Sequence, residues 1–249
     1  SKLYRMKFIY YLVLSFFLIF PANSDQLYEI IKIPNLKLYK IEHNGLRFLI
    51  PESNFSAGVG VNNVSCSTAD KNKLEDNYNK ISKSLNIYKN DFLNKIRLKY
   101  IVICENLKIS EIPALGFANP GMKTLIFNLN TENKFFNRVL HHEVFHFIHF
   151  DKEDIFDQIV WGKLNTLDFI YKECSTCSNK VGLEYIDDKK GFLTDYSMST
   201  PFEDMAEVYS FMKTNKKILN KRSKDDEIIR KKAFFLKNKI SKLYKNFQF

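Results

Sequence analysis

Glycine and proline are scarce in this chain, 8 and 6 of 249 residues, and they never gather with serine into a linker. No segment repeats. A repeat array and two domains on a flexible hinge are both excluded, leaving one substantial domain. Long apolar runs are missing too. Phe8 to Phe20 carries no charge but is too short for a comfortable membrane span. Lys7 precedes it, and Pro21 and Ala22-Asn23-Ser24 follow. Residues 1–24 therefore read as a cleaved secretory signal, with Ser1 to Arg5 as non-native or upstream residues ahead of an initiator Met6. The mature chain is expected to start near Asp25 and to be secreted, periplasmic or extracellular. An uncleaved anchor is the lesser reading. No cysteine follows the run, which argues against a lipoprotein.

Cysteine is sparse as well: Cys66, Cys104, Cys174 and Cys177. A second C-x-x-C is lacking, so Cys174-Ser-Thr-Cys177 is not half of a zinc ribbon, and no strand precedes it as in a thioredoxin-like redox unit. In an exported chain the four are disulfide formers. Three pairings are open, with Cys66–Cys104 and Cys174–Cys177 preferred.

Acidic residues are short at one end. From Met212 onward there are thirteen Lys/Arg and three acids, a local +10 that equals the net charge of the whole chain. Apolar residues at Ile228, Ile229, Phe234, Phe235, Leu236, Ile240, Leu243 and Tyr244 give residues 213–249 the spacing of one or two amphipathic helices. A basic helical tail is expected, mostly a solvated face. A weak contact with an anionic surface is the further use it allows, and no nucleic-acid partner is expected. Hydrophobic residues at 45% and aromatics at 15% exclude a disordered chain.

What the chain does have is a concentration of histidine. Four of its five histidines lie in His141-His142-Glu143-Val144-Phe145-His146-Phe147-Ile148-His149. On a helix, His142 and His146 share a face one turn apart and can hold one Zn²⁺ ion. Glu143 stands next to the first ligand, placed to take a proton from zinc-activated water. The surrounding segment is apolar almost all round, as in a helix buried at a domain centre, where unpaired imidazoles would be costly. His141 reads as a neighbour, His149 as a packing or orienting residue, and His43 as an exposed turn residue.

Two histidines leave the site one protein ligand short. Glu203, in Thr200-Pro201-Phe202-Glu203-Asp204-Met205-Ala206-Glu207, is the favoured third ligand. Glu207, one turn on, would orient a ligand histidine. A competing reading makes Glu203 only the capping-box partner of Thr200, with Pro201 at the first helical position.

His142-Glu143-x-x-His146 followed by Tyr196 and Glu203-x-x-Ala206-Glu207 resembles the catalytic domain of the anthrax lethal factor type, and the bacterial zinc-binding metallopeptidases related to it. The stretches Trp161-Gly-Lys-Leu-Asn165 and Gly191-Phe192-Leu193-Thr194-Asp195-Tyr196 resemble the latter group. The resemblance covers roughly residues 120 to 213. It implies Glu203 as third ligand and Tyr196 as a residue that stabilises the oxyanion or the departing amine. Phe145, where lethal factor has a small residue, and the long insertion between His146 and Glu203 depart from the pattern.

Along the chain, Leu36 to Leu49 alternates around His43-Asn44-Gly45, a hairpin signal. Leu74 to Ile96 has helical spacing. Tyr100 to Cys104 and Lys123 to Asn130 read as strands, the second reached through Asn119-Pro120-Gly121. If Lys123 to Asn130 borders the cleft, its free backbone groups could bind an extended peptide. The expected fold is α+β: a zincin-like domain over residues 25–249 with a small mixed sheet, the metal helix, a second ligand-bearing helix and the helical tail. The expected function is zinc metalloendopeptidase, with a peptide or protein substrate and a monomeric chain. The alternative, a non-catalytic secreted binding protein on a zincin-like fold, is disfavoured by the intact Glu143.

Overall fold

A computed structural model of the protein describes residues 36–58, 63–172, 175 and 182–249. The expected signal segment, residues 1–24, and the Cys174 and Cys177 pair lie outside these.

Strands β1 (Leu36–Ile41) and β2 (Arg47–Pro51) form an antiparallel hairpin. Its turn uses Gly45 at a positive φ of 87°. His43 is exposed there, while Asn44 turns inward and donates to the carbonyls of Leu85 and Tyr88. A short hairpin follows, β3 (Phe55–Ala57) and β4 (Val64–Ser67). Helix α1 (Lys71–Leu85) is capped by Asp70, whose side chain accepts from the Asn72 and Lys73 N–H groups. The helical periodicity through Ile96 resolves into two helices, because the chain leaves α1 after Leu85 and restarts as α2 (Asn90–Lys95).

The long strand β5 (Tyr100–Ile109) organises the sheet. Its first half lies parallel to both β2 and β8 (Thr124–Asn128). Its second half pairs antiparallel with β4 and with β6 (Ile112–Pro113). Strand β7 (Gly116–Asn119) closes the far side, antiparallel to β8. The segment Lys123 to Asn130 is therefore an inner strand, bonded on both sides, and the expectation that it borders the cleft is corrected. The edge strand on this side is β7, half-buried throughout, which a four-residue stretch carrying a glycine did not announce.

Alternation along β5 and β8 separates two cores. Ile101, Ile103, Leu125 and Phe127 face the helices and join the main core. Tyr100, Val102, Cys104 and Ile126 face the other way, against Phe55 and Leu107. Cys66 and Cys104 are joined there by a disulfide with their Cα atoms 6.0 Å apart, as the preferred pairing anticipated.

Helix α3 (Asn133–His149) carries the histidines, and α4 (Gln158–Gly162) opens the insertion. Helix α5 (Pro201–Thr214) packs directly on α3 and is followed by α6 (Lys216–Asp225) and α7 (Glu227–Leu243). The basic C-terminal segment is amphipathic, but it is more than a solvated face. Ile229, Leu236 and Ile240 are fully buried, and so is Lys232. Lys232 donates to Asp204 at 2.6 Å and to the Gly191 carbonyl at 2.7 Å. Trp161 Nε1 and the Tyr171 hydroxyl donate to the same Asp204 oxygen, at 2.8 and 2.5 Å. The buried ammonium thus ties the tail and the insertion to helix α5. Among the described residues no helix is long and apolar enough to cross a membrane.

Candidate metal centre

Helix α3 is buried on nearly every side, with Val139, Leu140, Val144, Phe145, Phe147 and Ile148 in the core. The i, i+4 spacing sets His142 and His146 on one face with their ring centroids 5.0 Å apart. Helix α5 brings Glu203 opposite them. His142 Nε2 lies 2.8 Å from Glu203 Oε2, His146 Nε2 lies 3.4 Å from the same oxygen, and the two Nε2 atoms are 3.2 Å apart. Donors bound at about 2.0–2.1 Å to one tetrahedral Zn²⁺ lie about 3.3 Å from each other. The triangle of two imidazole nitrogens and a carboxylate oxygen is therefore close to the right size and chemistry for that ion.

The capping-box alternative is realised only by half. Thr200 Oγ1 accepts from the Glu203 N–H at 3.3 Å, and Pro201 opens the helix. The Glu203 carboxylate, however, reaches the histidines. Although burial opposes its ionisation, His146 and His142 hold it well below the usual carboxylate range. Burial likewise disfavours a charged His142, yet its hydrogen bonds with Glu203 and Glu207 carry it up to about 10.

Glu207 sits one turn beyond Glu203, wholly enclosed. His142 Nδ1 donates to Glu207 Oε1 at 2.9 Å. Glu207 Oε2 accepts from Thr194 Oγ1 at 2.9 Å and lies 3.6 Å from the Arg138 guanidinium. The other histidine is supported differently: His146 Nδ1 lies 3.2 Å from His149 Nε2. The His149 ring stacks on Phe202 at 4.3 Å. His141 points away from the cluster, hydrogen-bonded to Tyr88 Oη at 2.7 Å and Ser84 Oγ at 3.2 Å.

Glu143 leaves the helix toward the edge strand. The Ala118 N–H hydrogen-bonds its carboxylate, and burial raises its pKa above the ordinary value, while His142 and His146 pull the other way. Gly116, also on β7, lies directly against its side chain. Tyr196 stands over the cluster, its ring 5.7 Å from that of His142 and its hydroxyl against Glu203. Burial, then Glu203 and Glu143, keep that hydroxyl protonated.

All six residues singled out for chemistry (His142, Glu143, His146, Tyr196, Glu203 and Glu207) line one cleft of about 430 Å³. Its remaining wall is largely apolar, with Leu115, Phe117, Val139, Phe150 and Leu183. Phe145 does not line the cleft and packs on Phe156, Tyr209 and His149 instead. The sequence reading missed Gly116, Ala118, Arg138 and Thr194. Nothing in their local pattern marks them, because each acts through a long-range contact; only Thr194 lay within a stretch already noted.

A family model described as "Putative zinc-binding metallo-peptidase" matches residues 72–245. No curated protein and no solved structure matches the chain.

Proposed function

The chain belongs to that zinc-binding metallopeptidase family, and from this premise we propose that it is a zinc-dependent endopeptidase of zincin-like, lethal factor-related type, with His142, His146 and Glu203 as the metal ligands. The observation that carries the reading is the convergence of these three donors beside a buried glutamate that is not itself a ligand. A zinc ion held there would supply Lewis acidity, lowering the pKa of bound water and polarising the scissile carbonyl.

The protein's own groups do the rest. Glu143, whose pKa burial raises above the ordinary carboxylate value, takes a proton from the attacking water and delivers it to the departing amine. The Tyr196 hydroxyl donates to the oxyanion that develops on the carbonyl oxygen. Glu207 fixes the His142 tautomer so that Nε2 faces the metal, with Thr194 and Arg138 holding Glu207 in turn. His149 does the same for His146. The free edge of β7 offers backbone N–H and C=O groups to an extended peptide, which places its scissile bond beside Glu143.

Export completes the proposal. It rests on the residues before Asp25, and the buried Cys66–Cys104 disulfide suits an oxidising compartment. The chain would act there as a monomer on peptide or protein substrates.

Zinc content and peptide-library cleavage by the wild type and Glu143→Ala test the catalytic reading together. The variant should keep stoichiometric zinc and lose about 10²–10⁴-fold in turnover. Loss of zinc from Glu143→Ala, or full activity in it, contradicts the assignment.

A further inference from the structure

A second cavity, of about 580 Å³, lies away from the metal cleft, between the α1–α2 junction, the α5–α6 junction and the last residues of the chain. Its size falls within the range of about 300–1,000 Å³ typical of small-molecule sites. Its walls combine two chemistries. Aromatic rings form the interior: Phe92 meets Tyr244 and Phe247 with centroids 5.0 Å apart in each case, and Tyr88 stacks on Phe92 at 5.3 Å. Lysines form the rest: Lys89, Lys95, Lys213, Lys216 and Lys245 all line it, against a single acid, Asp91.

Among the described residues none of these lysines is paired with a side-chain carboxylate. Lys213 and Lys216 reach only the backbone oxygens of Gln248 and Phe249. The Lys213 ammonium lies over the Tyr88 and Phe247 rings, 5.3 and 5.1 Å from their centroids. Burial and the neighbouring Lys216 press its pKa down to about 8. A like-charged cluster around an apolar hollow gives it a positive potential that favours an anion there.

A second observation points the same way. The Tyr244 residue lines this cavity while only 6% exposed, so the hollow offers a fixed aromatic wall on which an apolar body can lie. The hollow is also built into the framework of the metal helix. Tyr88 is hydrogen-bonded to His141 on α3 at 2.7 Å and to Tyr209 on α5 at 2.9 Å.

We propose that this cavity is a binding site for a small organic anion with an apolar body, its acidic group held by Lys213 and Lys216 and its body lying on Phe92, Tyr244 and Phe247. The site is independent of the peptidase reading.

Calorimetric titration of the full chain with naphthalene-2-sulfonate, against the neutral isostere naphthalene-2-methanol, tests it. The sulfonate should bind at least about tenfold more tightly than the alcohol, and its affinity should fall as salt rises. Lys213→Met should weaken it, and so should Lys216→Gln, an exposed position whose loss spares the fold. Lys237→Gln, which removes the same charge from α7 away from the cavity, should not. Equal binding of alcohol and sulfonate, or equal loss in Lys216→Gln and Lys237→Gln, overturns the proposal. So does binding to phosphatidylglycerol vesicles with none to the free sulfonate, because that marks a basic surface and no enclosed site.

Discussion

A Cβ placed on Gly116 would lie 2.6 Å from Cγ and 2.8 Å from Oε1 of Glu143. The edge strand therefore approaches the glutamate through the one residue type that leaves its carboxylate room. Gly116→Ala should displace Glu143 while the backbone of β7 remains acceptable to alanine. Overpacking of this kind costs about 1–3 kcal/mol, and turnover should fall toward that of Glu143→Ala with zinc content unchanged. Peptide kinetics and metal analysis on the purified variant check this. Full turnover in Gly116→Ala would mean that Glu143 works from some other position.

Glu203 and Glu207 share one helix but have separable roles. Glu203→Ala removes a metal donor, so zinc should be lost to a mild chelator. Glu207→Ala leaves the donors in place, and a loss of about 10–100-fold in affinity or activity is expected. Because Arg138 is buried beside it, Glu207→Ala should also lower the melting temperature, whereas Glu207→Gln should spare much of that stability. Competitive zinc titration of the three variants, each with its melting curve, separates these outcomes. A Glu207→Ala protein that binds no zinc at all would move the ligand one helical turn.

These two glutamates show how far the sequence could be read. Their spacing was visible, but a capping box and a ligand helix share the pattern Thr200-Pro201-x-Glu203, and only the partner helix decides where the carboxylate turns. The metal helix was legible because the i, i+4 histidines carry their geometry in their spacing. The hairpin at His43-Asn44-Gly45 was legible for the same local reason. The edge strand was not. Apolar Lys123 to Asn130 looked like a boundary, while Gly116 to Asn119 has no strong strand preference and owes its place to pairing with β8.

Acid should weaken the fold through His141. Burial depresses its imidazole from 6.5 to about 3, so between those values the unfolded chain binds the extra proton, and stability falls as pH drops through that window. The linkage amounts to about 2 kcal/mol between pH 7 and pH 5. His141→Gln should remove that part of the pH dependence. Urea unfolding of both proteins at the two pH values, with chelator present to keep them metal-free, measures it. Parallel pH dependence in the two would show His141 to be charged in the fold.

Lys232 and Asp204 should be costly to separate. Lys232→Met leaves Asp204 enclosed with only Trp161 and Tyr171 as donors, and breaking such a pair costs about 3–5 kcal/mol. The double variant Asp204→Asn with Lys232→Met should recover much of that. Chemical denaturation of the single and double variants reports the coupling. Additive losses would mean that the ion pair contributes little.

Material secreted from an exporting host should have a mass that begins near Asp25. It should show no free thiol at Cys66 or Cys104 until reduced. A mass that includes Met6 to Ser24 would support an anchored chain instead.

Glu203 and Asp204 are neighbours in the chain, and their carboxylates leave the helix in different directions. One faces the histidines, and the other receives the indole of Trp161, the phenol of Tyr171 and the ammonium of Lys232. The segment between the two ligand-bearing helices is therefore not a free graft. A shorter loop would take away the Trp161 and Tyr171 donors to Asp204 and the Gly191 carbonyl that Lys232 donates to, leaving the enclosed ion pair without its other partners. Remodelling this segment means moving Trp161, Tyr171, Asp204 and Lys232 as a set.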